Sequence, residues 1–360
     1  MVERSANLPA ASSCVNTQRK PRRFSFFSSK RGSTVDAADI GDLVSPGESF
    51  HSLFDTGPTK GIWWLDILNP TEGEINALAK AFSIHPLTSE DIKTGEIHEK
   101  VEVFKHYYFV CFRSFNRMGK AGKYHVEPLN VYILVFREGT LSIAFRPSPH
   151  AANVQNRIRM LRNYIALSSD WICYALIDDI VDSFSPLISE IEQETNAMED
   201  SVFVTRVHEL SSVLLQVHVC RKKTMSTIHL LRSKGFVIKS LARHCDGISL
   251  FLGDVQDHLV TMKSKLDHYE GILSRSHSDY LTRLSVDRTR TGNQTVKFIV
   301  KITVIAAILV LLNVVCGLFG MNVRVPGGDS DGLKWWFGIL GAIILIISAS
   351  LAIARRMKLI

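Results

Sequence analysis

Two carboxamides stand where hydrocarbon is expected. In "LVLLNVVCGLFGMNVRVPGG", residues 309–328, Asn313 lies inside an aliphatic run and Asn322 closes it, with Gly317 and Gly320 between them. Hydrocarbon offers amide groups no partner, so at such a depth they either hydrogen-bond a neighbouring helix or face water and the ions it carries. At 3.6 residues per turn, Ile299, Ile302, Ala306, Val310, Asn313, Gly317 and Gly320 fall on one narrow stripe. Its small residues suit close helix contact, and its polar edge equally suits the wall of an ion path. Spacing alone leaves the two readings level.

The element that must carry this stripe is long and apolar. Nineteen residues from Ile302 to Gly320 and twenty from Trp335 to Ala354 carry no charge, and each run is enough to cross a ~30 Å hydrocarbon layer as a helix. A soluble helix needs a polar face, so both are read as membrane spans. Arg283, Arg288, Arg290, Lys297 and Lys301 precede the first span, and Arg355, Arg356 and Lys358 follow the second. Only Arg324 and Lys334 lie between them. This bias places both termini in the cytosol, or in the matrix if the membrane is mitochondrial.

Composition narrows the rest. The chain has 360 residues, 46% of them hydrophobic, which allows two domains and excludes a disordered protein. The formal charge of +7 comes largely from the membrane anchors and a basic N-terminal stretch, and no nucleic-acid motif accompanies it. Six cysteines, scattered without a C-x-x-C pair, argue against a disulfide framework or a thiolate zinc site.

Residues 1–58 read as a basic, unstructured tail, with "QRKPRRFSFFSSKR" carrying six cations and no acid. Residues 59–149 read as a mixed α and β domain. Its strands are expected at "VEVF" (101–104), "YYFVCFRSF" (107–115), "LNVYILVF" (129–136) and "TLSIAF" (140–145), and a helix opens with Asn69 as cap and Pro70 in the first turn. Residues 150–247 read as helical, broken near "RSKGF" and "HCDG". A long helix over 248–320 then includes the first span at about 298–320. An outer loop (321–334), the second span (335–354) and a basic cytoplasmic tail (355–360) complete the chain. The fold class is an α+β cytoplasmic domain of α/β/α type, long helices and a two-span hairpin.

The ending Gly320-Met321-Asn322 resembles the signature of the CorA family of divalent-cation channels, where Gly-Met-Asn closes the first of two C-terminal spans. "WLDILNPTEGEI" (64–75), "HPLTSEDI" (85–92), "LIDDIVDSFSPLISEIE" (176–192), "ILSRSHSDYLTRL" (272–284) and "WWFGILG" (335–341) fall where that family has its other motifs. The likeness covers residues 60–360 and looks most like the fungal Mg²⁺ transporters of plasma membrane and vacuole. Two departures stand out. Leu311 occupies the place of a proline midway along the span, and Val296 that of an asparagine at the inner mouth, with Asn293 one turn earlier.

The resemblance implies a homopentameric funnel in the lipid bilayer, without nucleotide or nucleic acid, carrying Mg²⁺ as both cargo and regulator. Mg²⁺ dehydrates reluctantly, so carboxamides offering oxygens to its retained waters suit its passage. Gly320, Met321, Asn322, Asn313 and Gly317 are the expected conduction and selectivity residues, with Val310, Ala306, Ile302 and Ile299 as a constriction that dewets. The resemblance further implies regulatory carboxylates at subunit interfaces: Glu90, Asp91 and Asp182, partnered by Asp279 or Asp287. His85 reads as structural. Two rivals remain, a carrier of Zn²⁺, Mn²⁺ or Co²⁺ on the same scaffold and a membrane-anchored scaffold or sensor. No Walker loop, H-E-x-x-H or G-x-S-x-G supports an enzyme.

Overall fold

Alternation builds the sheet. In β3 (Trp63–Leu68), Trp63, Leu65 and Ile67 point to one face while Trp64 and Asp66 point to the other, as the two-residue period of a strand requires. The computed structural model describes residues 22–44, 50–54, 61–118, 125–162, 164–204, 210–321 and 333–356. Around β3 it assembles β1 (Phe24–Ser28), β2 (Ser33–Ala37), β4 (Lys100–Val103), β5 (Tyr107–Met118), β6 (His125–Phe136) and β7 (Gly139–Ala144). The order is β2-β1-β3-β7-β6-β5-β4, antiparallel except where β3 lies parallel to β7. At that seam Trp63 pairs with Gly139, where an added Cβ would stand 2.1 Å from the indole. Only glycine lets the two strands and the ring share that space.

Helices cover both faces. On one side lie α1 (Phe50–Phe54), α2 (Glu72–Ala81) and α3 (Pro86–Thr94), contributing Leu53, Ile75, Leu78 and Ile92 to a core with Leu65, Phe109, Tyr132 and Ile143. The other face packs against α4 (His150–Leu161), α5 (Ser169–Asp182), α6 (Phe184–Val204), α7 (Leu210–Arg232), α8 (Lys234–Ala242) and the beginning of α9 (Ser249–Phe319). Both apolar layers are large, and full burial of one such side chain is worth about 1.5–3 kcal/mol. The helical stretch after residue 150 therefore shares the sheet's core. One compact unit comprises the residues up to Asp200 with Gln216–Ser274. A second comprises Ser201–Leu215 with the residues from Arg275 onward, including α10 (Lys334–Arg356).

Three local outcomes differ from the sequence reading. The expected unstructured tail contains β1 and β2 within residues 22–44, because Phe24, Phe26 and Phe27 are buried against both layers. The cap of α2 is Thr71 rather than Asn69. Thr71 and Glu74 form a reciprocal capping box, while Asn69 takes a φ of 52° in the turn out of β3. The helix read from residue 175 onward is divided at Ser183, because Pro186 in the first turn of α6 lacks an N–H and its ring excludes the carbonyl of Asp182.

Candidate ion pathway

The second unit carries the stripe. Helix α9 runs unbroken through Leu311 and ends at Phe319, and α10 is the other helix among the described residues long and apolar enough to span a bilayer. Within the chain the apolar window of α9 is unburied, and Ile299, Ile302, Ala306, Val310, Asn313, Gly317 and Gly320 are all exposed. Val304, Ile308, Leu312 and Val315 are partly covered, so the exposed remainder of this apolar helix must find its partners in lipid or in other copies. Thr303 spends its hydroxyl on the Ile299 carbonyl at 2.9 Å, which removes it from the polar edge. Asn313 thus holds the one carboxamide of the described span.

At the end of α9 the Gly320 N–H donates to the Cys316 carbonyl at 2.9 Å. A Cβ on Gly320 would stand 3.1 Å from that same oxygen, so glycine keeps the last turn open. Met321 follows, half exposed, and Asn322 lies outside the described residues. On α10, Trp335, Trp336 and Phe337 sit exposed in the first turn and Arg355 and Arg356 in the last. Aromatic residues at one end and basic residues at the other are the usual anchors of a span at the two faces of a bilayer.

The carboxylates named from motif position are divided between the two units, Glu90, Asp91 and Asp182 in the first and Asp279 and Asp287 in the second. Glu90 is exposed on α3. Asp91, one residue on, accepts from the Lys100 ammonium at 2.7 Å, and the same ammonium reaches Glu102 at 2.8 Å. Burial works against the charge of Lys100, but the two carboxylates outweigh it and raise its pKa. Asp91 does not cap α3. His85 does, its Nδ1 accepting the Leu87 N–H at 3.3 Å, in keeping with a structural role. Asp182 ends α5 beside His258 of α9, 3.9 Å away, and burial together with neighbouring Asp178 raises its pKa. In the second unit, Asp279 is exposed and Asp287 half-buried on α9. Among the described residues no three His, Cys, Asp or Glu side chains gather closely enough to hold a metal.

Other polar groups do converge, and sequence reading missed them. Lys234 of α8 and Glu99 are fully buried 2.5 Å apart, the ammonium also donating to the Arg113 carbonyl and resting 4.0 Å from the Phe112 ring centroid. Burial lowers the Lys234 pKa, and Glu99 partly restores it. Ser114, His150 and Asp179 line up at 2.6 and 2.7 Å, the order of a hydrolytic triad. Ser114 is wholly buried, so the relay pins α4 and α5 to β5 and meets no substrate. On the same side Asp66 accepts from Ser142 at 2.5 Å at the floor of a cavity of about 250 Å³, and burial pushes its carboxyl up to about 6. None of these pairs is close in sequence, and no period announces them.

Comparison with known proteins decides the family. The description "CorA-like Mg2+ transporter protein" matches residues 59–356. The chain belongs to this family. The CorA-like chain is 50% identical over 372 residues to a Schizosaccharomyces pombe protein whose name proposes metal ion transport, covering 98% of this chain and 46% of that one. It is 44% identical to Magnesium transporter ALR1 of Saccharomyces cerevisiae, over 95% of this chain and 45% of the relative. It thus spans about half the length of these relatives. The complete CorA magnesium transporter of Methanocaldococcus jannaschii superposes with a TM-score of 0.52 at 15% identity, over 82% of this chain and 90% of that one, a likeness of fold. The resemblance read from Gly320-Met321-Asn322 is borne out, as is the α/β/α domain followed by a long helix and two candidate membrane helices.

Proposed function

We propose that this chain conducts Mg²⁺ across a membrane as a homopentamer, with the Asn313 stripe of five α9 helices around a shared axis. The supporting observation is the exposed polar edge, Asn313, Gly317 and Gly320, on an apolar helix of a CorA-like chain. Two spans cannot enclose water, so several copies must. Amide oxygens at Asn313 and Asn322 would contact the ion's retained waters, binding weakly enough to allow exit. The aliphatic positions Val310, Ala306, Ile302 and Ile299 would form the constriction. A doubly charged ion gains about 4.6 kcal/mol over 100 mV, twice the ~2.3 per elementary charge, so no nucleotide is needed. The names of the ALR1 relative and of the family agree with Mg²⁺ as cargo. The Lys and Arg flanking the spans favour cytosolic termini, in a plasma or vacuolar membrane.

Regulation belongs to the same proposal. Carboxylates that repel when bare and are bridged by a cation bias two subunit arrangements. Glu90 and Asp91 on one subunit would face Asp279 or Asp287 on the next, with Asp182 as a further ligand. For Asp91 the ion competes with Lys100.

The test is flux. The full chain in proteoliposomes loaded with a Mg²⁺ dye should take up Mg²⁺ in proportion to an inside-negative potential, and Asn313→Leu and Asn322→Ala should each cut uptake at least tenfold. Excess Mg²⁺ should also suppress Mn²⁺ and Co²⁺ entry. Absence of flux in the unaltered chain would favour a scaffold, and a Mn²⁺ signal that ignores Mg²⁺ would favour another metal.

A further inference from the structure

A second cavity, of about 270 Å³, opens between the β1–β2 turn and the segment that follows α4. Phe27, Ile158, Ile165 and Leu167 make its walls. Phe27 and Ile158 are members of the helix-side core, and Ile165 and Leu167 pack on its edge, so the cavity is an unfilled extension of that core. Hydrocarbon is what such walls accept.

Its polar lining has a single character. Arg159, Arg162 and Ser29 border it, and among the described residues no aspartate or glutamate does. Arg159 donates to the neutral Asn156 amide at 3.3 Å, and neither arginine has a carboxylate partner among the described residues. Elsewhere in the unit, Arg22, Arg23, Arg146 and Arg157 each hold an acid. The Ser29 hydroxyl accepts the Ile62 N–H at 2.8 Å, which leaves its own hydrogen to give. Two guanidinium groups and a hydroxyl therefore offer donors to one small space.

The turn is shaped for this. Gly32 has a φ of +62°, and an added Cβ would stand 2.8 Å from both terminal nitrogens of Arg162. Glycine lets the guanidinium lie against the backbone at the cavity mouth, where Arg31 of the same turn adds positive potential. An apolar ligand would leave these donors unanswered. A small inorganic anion would leave the hydrocarbon walls uncovered.

We propose that this cavity binds an aliphatic carboxylate, its chain along Phe27, Ile158, Ile165 and Leu167 and its head between Arg159 and Arg162. At ~30 Å³ for each water-sized group, the volume accommodates roughly nine, about the number of chain carbons that decanoate carries beyond its carboxylate. Charge-assisted bidentate bonds fix the head, and burial of the chain supplies the remaining affinity. The site is independent of the ion pathway and of whether the chain conducts.

Photolabelling tests this on the full chain in phosphatidylcholine nanodiscs, with a diazirine-bearing decanoate as probe. Labelling should appear on peptides covering residues 24–33 and 154–168, and decanoate should compete where decanol does not. The double variant Arg159→Gln, Arg162→Gln should lose at least tenfold of that signal. Leu167→Trp, which fills the cavity and keeps both arginines, should lose as much while melting within a few degrees of the unaltered chain, so a folding defect in the double variant leaves the test intact. Labelling that survives Leu167→Trp, or that decanol competes equally, overturns the proposal.

Discussion

Asp66 shows how far one side chain can depart from its usual habit. It lies on the face of β3 that α4 and α5 cover, bonded to Ser142, and its carboxyl is pushed up from 3.8 to about 6 because burial disfavours its charge. A carboxyl raised in the fold binds its proton more tightly there than when unfolded. Its burial penalty is thus present above about pH 6 and is relieved as pH falls toward 4. Asp66→Asn keeps the acceptor for Ser142 and removes the charge, so it should raise the melting temperature at pH 7.5 and have little effect at pH 4.5. Melts of both chains at the two pH values check this, and equal shifts would contradict it. Residue types alone did reveal Asn313 as exceptional, because an amide in hydrocarbon is conspicuous. Asp66 was not legible, because an acid in "WWLDIL" becomes unusual only once β7 brings Ser142 beside it.

At the scale of elements, caps and buried pairs set the joints. The capping box at Thr71 satisfies two N–H groups at the start of α2, so Thr71→Ala should cost about 1 kcal/mol, read as a small drop in melting temperature. The Lys234–Glu99 pair should matter more. Lys234→Met leaves a buried carboxylate without its cation, a loss of about 3–5 kcal/mol, and the double variant Lys234→Met, Glu99→Gln should recover much of it. A double-mutant cycle on melting temperatures measures that coupling, and additive losses would deny it. The strands from residue 100 onward were legible because β-branched and aromatic residues crowd them and turn residues separate them. β1 was not, because its five residues sit between "RKPRR" and "SSKR", and those cations dominate any composition window. What makes it a strand is pairing with β3 and burial under helices from distant sequence.

The scale of the whole molecule is where the chain alone stops and the assembly begins. Two apolar helices and the Gly-Met-Asn ending were readable directly, since bilayer thickness sets a length and the family motif sets an address. Any regulatory role of Glu90, Asp91, Asp182, Asp279 and Asp287 belongs to the assembly, because among the described residues of one chain no three acids, histidines or cysteines gather into a metal site. Asp91→Ala should free Lys100 and weaken inhibition by internal Mg²⁺ several-fold in uptake assays, leaving flux at low internal Mg²⁺ intact. Unchanged inhibition would remove Asp91 from the sensing site. The orientation of α9 can be measured directly by thiol accessibility in a Cys316→Ser background. Cysteine at Asn313 should react with a water-soluble methanethiosulfonate and lose Mg²⁺ flux on reaction, while cysteine at Val315, about 200° around the helix, should be protected. Reaction at 315 with protection at 313 would contradict a carboxamide-lined path.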